Sequence, residues 1–82
     1  MRPDDVLHLL RARPFQPFRV SLSDGQQYEV RHPDMAIVLR STVLIGIPGP
    51  RGPDGPVERV VTCALVHITR MEPVDGTGIA GL

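Results

Sequence analysis

Apolar and polar residues alternate along Phe18-Arg19-Val20-Ser21-Leu22-Ser23 and again along Gln27-Tyr28-Glu29-Val30-Arg31. A period of two is that of a half-buried strand, so each run predicts one. Asp24-Gly25 between them predicts a hairpin turn. A two-residue loop would set Leu22 opposite Gln27 and Val20 opposite Glu29, mixing apolar with polar on one face. Adding Ser23 to the loop sets Val20 opposite Tyr28 and Phe18 opposite Val30. The prediction is therefore a three-residue loop with Gly25 left-handed in a bulge. The opposite face, Arg19, Ser21, Gln27, Glu29 and Arg31, is expected to be polar and solvated.

Before the hairpin, Val6, Leu7, Leu9 and Leu10 recur at helical spacing. Pro3 suits a first helical position, and Asp4 and Asp5 suit the positive end of the helix dipole. Arg11 and Arg13 sit at the negative end, and Pro14 stops the helix. Phe15 and Phe18, two of only three aromatics, are read as anchors that pin the helix to the sheet; exposed, the same pair would suit base stacking.

After His32-Pro33-Asp34, the run MAIVLRSTVLIGIP is almost continuously apolar, with Arg40-Ser41-Thr42 in its middle. It reads as one long bent strand or as two short ones meeting at a turn. Unbroken apolar runs suit strands buried on both faces. In a chain this short, that implies cover by the helix or by another subunit. PGPRGPDGP carries Gly at every third position, but too few triplets for a collagen helix, and reads as an extended, mobile loop. The last strands are expected at Val57 to Cys63 and Ile68 to Pro73, with Ile68, Arg70 and Glu72 on one face and Thr69 and Met71 on the other. The whole predicts a mainly β domain with one N-terminal α-helix, a small five-stranded, strongly bent antiparallel barrel over residues 1–74. The helix falls at about 3–13, the strands at about 18–23, 26–32, 35–47, 57–63 and 68–73, the loop at 48–56, and a flexible tail at 75–82.

Composition narrows the chemistry. The 82 residues fit one domain, and a domain of this size buries only about 60% of its unfolded surface. Cys63 is the only cysteine, so no intrachain disulfide forms. With three scattered histidines it does not make a closed metal site, and no metal or cofactor is expected. Nine basic residues, all Arg, balance nine acidic ones. A neutral chain lacks the basic excess of a strong phosphate binder, although arginines can still cluster locally. No signal peptide or membrane span is read from the chain, and a cytoplasmic protein is expected.

Leu22-Ser23-Asp24-Gly25 ends the first strand as an apolar residue followed by x-Asp-Gly, and VVTCALVHITRMEP closes the chain as strand, tight turn and strand ending in Pro. With the N-terminal helix, this order resembles the Sm-like small barrel, including bacterial Hfq-like proteins, over residues 4–74. The resemblance implies rings of six or seven subunits that bind single-stranded RNA. Two motifs depart from it. Leu65-Val66-His67 stands near the place of Tyr-Lys-His, and Arg40-Ser41-Thr42 occupies the loop where Sm proteins carry Asp and Met-Asn. The segment RPFQPFR…DG…VRHPDMA also resembles a group of short, uncharacterised bacterial proteins, which implies no function.

No nucleophile is joined to a base by the sequence, and no phosphate-cradling glycine motif occurs, so the chain is read as a non-catalytic binding module. One reading is an oligomeric ring on single-stranded RNA, with Arg11, Arg13, Arg19, Arg31 and Arg40 gathered on one face. The other is a protein-interaction or assembly module, an SH3-like barrel without nucleic acid. Self-association through strand edges fits both.

Overall fold

The computed structural model describes residues 1–74; the predicted tail lies outside the described residues. The chain is mainly β with one helix: α1 (Pro3–Arg11), β1 (Phe18–Leu22), β2 (Gln27–Val30), β3 (Ala36–Val38), β4 (Thr42–Pro48), β5 (Val57–Ala64) and β6 (Ile68–Pro73). Short 3-10 turns stand at Pro33–Met35, Gly52–Asp54 and Leu65–His67. The strands form two antiparallel sheets, ordered β2-β1-β6 and β3-β4-β5.

The first hairpin has the three-residue loop. Phe18 faces Val30 and Val20 faces Tyr28. Leu22 N–H donates to the Gln26 carbonyl (2.9 Å) and Gly25 N–H to the Leu22 carbonyl (3.0 Å). Gly25 has φ +92°, a conformation that side chains with a Cβ rarely adopt. The Asp24 carboxylate accepts the Gln26 N–H (2.9 Å), fixing the turn further.

Six strands stand where five were expected. The run 35–47 is not one bent strand: Leu39 N–H donates to the Thr42 carbonyl (2.8 Å), and Val38 pairs with Val43. Arg40 and Ser41 prefer water, so the chain turns back where they fall and makes a hairpin. The barrel is also not closed; among the described residues no ladder joins the two sheets. Two 3-10 corners carry the chain between them, Pro33–Met35 from β2 to β3 and Leu65–His67 from β5 to β6. Pro33 lacks the N–H that would continue a ladder.

Three further expectations change. The helix ends at Arg11 rather than at residue 13, because Arg13 precedes Pro14 and Ala12 is already extended. The Gly/Pro loop is folded rather than extended: Gly52 N–H donates to the Gly49 carbonyl and Gly55 N–H to the Gly52 carbonyl, each at 3.0 Å. In β6, the register slips so that Ser21 faces Arg70 while Leu22 faces Ile68. Thr69 is skipped, its hydroxyl donating to the Ser21 carbonyl (3.1 Å). The bulge turns Ile68 to the same side as Met71, so Ile68 is buried and does not share the Arg70–Glu72 face.

The core lies between the sheets. Ile45, Val43, Val20 and Val30 are buried at its centre, with Phe18, Cys63, Leu65 and Ile68 around them. Val6 and Leu10 of α1 join the same cluster, and Phe15 meets Phe18 edge to face at 6.1 Å. The two phenylalanines are thus anchors. Burial of such side chains contributes roughly 25 cal/mol per Å² of apolar area.

Ile45, 0% exposed, is the most deeply buried core residue among the described residues. Ile45→Ala is expected to cost about 2–5 kcal/mol in urea unfolding. At Gly25 an added Cβ meets nothing within 4 Å, so Gly25→Ala tests backbone conformation alone. Its expected cost is about 1–2 kcal/mol, again by urea unfolding.

Candidate interaction surface

The second sheet is apolar on both faces. Its inner face carries Ala36, Val43, Ile45 and Cys63, all buried. On its outer face, Ile37 faces Leu44, Leu44 faces Thr62, and Gly46 faces Val60. Ile37 and Val60 are each 58% exposed, and Val57 45%. A Cβ at Gly46 would come within 2.9 Å of the Val57 Cγ2, so glycine there lets Val57 lie over β4 and extend the apolar surface. Ile37, Leu44, Val57 and Val60, with Asp34 and Met35, line a shallow depression of about 190 Å³. The helix does not cover this face, because Val6 and Leu10 are committed to the core on the other side.

The first sheet has the opposite character. Its outer face is a charge lattice: Glu29 binds Arg31 (2.9 Å) and Arg19 (3.5 Å), and Glu72 lies 3.5 Å from Arg70. Ser21, expected to be solvated, is instead 6% exposed. Gln27 donates to its hydroxyl (3.4 Å).

Of the arginines singled out from the sequence, Arg19 and Arg31 are brought together on one carboxylate. Arg13 folds back on the helix end, its guanidinium donating to the carbonyls of Leu10 (3.0 Å) and Ala12 (2.7 Å). Arg11 is exposed on the last turn of α1, and Arg40 is exposed in the β3–β4 turn. Among the described residues, Arg11, Arg13 and Arg40 make no ion pair with an acidic side chain.

A second cluster forms where three turns meet. Ser23 N–H donates to the His67 carbonyl (2.8 Å), and Leu65 N–H to the Ser41 carbonyl (2.9 Å). Ser23 Oγ lies 3.4 Å from His67 Nδ1. This is a serine against a histidine, but the nearby Asp24 carboxylate already holds the Gln26 N–H, and both partners are exposed. The contact links two turns and lacks the oriented base that a nucleophile needs. His32 Nε2 lies 3.4 Å from Asp54, tying the corner before β3 to the Gly/Pro loop. Among the described residues, no three His, Cys, Asp or Glu side chains converge as metal ligands, and no helix is long and apolar enough to cross a membrane.

The apolar face had a signal in the sequence: the unbroken run through β3 and β4 pointed to burial on both sides. Its extension over β5 did not, because Val57 and Val60 are separated by Glu58 and Arg59. No family model, curated protein or solved structure matches the chain.

Cys63 is 2% exposed. Burial pushes its thiol pKa up, and the negative charge of Asp24 adds to the shift. The folded state therefore favours the neutral thiol. That contribution is full below the unfolded-chain value and is lost as pH rises through the higher folded value. Stability is expected to decline from about pH 8.5 upward, more in the wild type than in Cys63→Ala. Denaturant midpoints across the alkaline range check this.

Proposed function

We propose that this chain is a non-catalytic assembly module of the small-barrel kind, binding protein through the outer face and β5 edge of the second sheet. The exposed apolar face over Ile37, Leu44, Val57 and Val60 carries the reading. A small soluble domain seldom leaves such a surface to water unless it meets a partner. The order of elements supports the small-barrel part: a hairpin turning at Gly25, a 3-10 turn after β5, and a last strand that returns to β1.

Binding of single-stranded RNA would need the arginines to act as one free positive surface. Glu29 offsets one of the two positive charges of Arg19 and Arg31, and Arg13 is spent on the helix end. The neutral chain adds no long-range attraction for phosphate.

The test is fluorescence anisotropy of a labelled single-stranded oligouridine with the full chain at low salt. No binding is expected for the wild type, and at most weak, salt-sensitive binding for Glu29→Gln, which frees the two arginines. Tight wild-type binding whose salt slope falls on Arg19→Ala and Arg31→Ala would overturn the reading.

A further inference from the structure

We infer that the outer face of the second sheet receives a segment of a partner protein that carries both an apolar side chain and a cation. The apolar side chain seats on Ile37, Leu44 and Val60, and the arginine or lysine enters a bay edged by Asp34 and Asp54. This rests on the assembly reading above and gives its partner a chemistry. Two hollows meet on this face. One is the shallow apolar depression over β3, β4 and β5. The other, an open bay of about 560 Å³, lies where the Pro33–Met35 corner meets the Gly52–Asp54 turn, with His32 and Asp54 in its lining. Asp34, Met35 and Val57 line both, so the two hollows form one continuous trough.

Local sequence builds the junction. Pro33 ends the ladder and turns the chain, which leaves Asp34 exposed just before β3. Hydrogen bonds from Gly52 and Gly55 to the carbonyls of Gly49 and Gly52 fold the Gly/Pro loop. His32 Nε2 then lies 3.4 Å from the Asp54 carboxylate. Gly46, without a side chain, lets Val57 lie over β4 where the hollows join.

The charge of this trough is one-sided. The chain carries nine arginines, yet among the described residues none lines either hollow. The fixed charges there are the carboxylates of Asp34 and Asp54. Arg51 lies beside Gly55 on the same loop, but among the described residues it pairs with neither carboxylate. Asp34 has no basic partner among the described residues, and Asp54, its side chain 92% exposed, has His32. Two carboxylates in a bay attract a cation and repel nucleic acid, an acidic protein face and an anionic membrane alike. The apolar hollow supplies the other half of the preference, since an apolar side chain seated there takes the exposed Ile37 and Val60 out of water. Together the hollows select a segment with both kinds of side chain close in sequence. A second copy of this chain carries Leu39-Arg40 exposed in its β3–β4 turn, and the test separates it from a different protein.

Fluorescence anisotropy with the full chain at low salt reads the preference. The probe is a short fluorescein-labelled peptide of repeated Leu-Ser-Arg. Its matched forms carry glutamate in place of arginine, or serine in place of leucine. The arginine form is expected to bind at least about fivefold tighter than the glutamate form, an advantage that shrinks as salt rises. It is also expected to bind tighter than the leucine-free form. Asp34→Arg, at an exposed site, is expected to abolish or reverse the preference for arginine. Val60→Ser is expected to weaken the arginine form and keep its preference over glutamate. Unchanged far-ultraviolet circular dichroism and thermal midpoints of the variants exclude unfolding as the cause. Equal binding of the arginine and glutamate forms, lost on Val60→Ser, would overturn the basic segment and leave the assembly reading standing. An arginine preference that survives both Asp34→Arg and Asp54→Arg would overturn the bay as its site. Light scattering addresses the second copy: a wild-type dimer that Arg40→Glu returns to single chains would overturn a different protein as the occupant. The RNA measurement decides the assembly reading separately.

Discussion

A two-layer domain has one interior, and β4 brings two apolar faces to it. Val43 and Ile45 point inward and are fully buried. Leu44 and Gly46 point the other way, flanked by Ile37 on β3 and by Thr62 and Val60 on β5. Because successive side chains alternate across a strand, no rotation of β4 can bury both sets. The choice is enforced by the neighbours: Val20, Val30 and Phe18 close the interior from the first sheet, and Val6 and Leu10 from the helix. What is left over lies outside, and the shape of the remaining surface follows from that.

Charge follows the same logic. Nine arginines suggest a basic surface, yet they are distributed by local needs. Glu29 on β2 sits directly opposite Arg19 on β1, so the ladder that aligns the apolar pairs also aligns this ion pair. Arg31, one residue past the end of β2, reaches the same carboxylate. Exposed pairs of this kind contribute little to stability, typically under about 1 kcal/mol. Their effect is on the field: Glu29 and Glu72 offset two of the three positive charges that Arg19, Arg31 and Arg70 bring to the first sheet.

Much of the frame was legible in the sequence. The three-residue turn at Gly25 followed from register alone, since only that loop length pairs Val20 with Tyr28. The helix start followed from Pro3 and the two aspartates, with the Asp5 carboxylate accepting the Arg2 N–H (3.1 Å). The departures share one cause: they are interruptions of a period, and a period is what sequence reading detects. The bulge at Thr69 reverses the facing of Ile68 without any glycine or proline to announce it. The break in 35–47 was visible as Arg40-Ser41-Thr42, but a bend and a hairpin have the same polar signature. The two 3-10 corners leave the strands antiparallel within each sheet yet stop the ladders from joining, which alternation cannot reveal. The arginines were misleading for a different reason, because sequence gives the charge of a residue but not the carboxylate opposite it.

The helix sets a limit that the strands cannot relax. Nine residues at 1.5 Å each span about 13.5 Å, with one apolar stripe. That stripe can close the open end of the core or lie on the outer face of the second sheet, but not both. Phe15 against Phe18 and the link through Pro14 and Pro17 hold it on the core side, and removing it from there would open Val6 and Leu10 to water. The helix therefore leaves Ile37 and Val60 exposed. The edge of β5 adjoins that face with its main-chain groups unpaired among the described residues, so a strand added there would serve both the polar edge and the apolar side chain at its centre. In the proposed assembly, a single intermolecular contact at that edge would meet two separate demands of the fold.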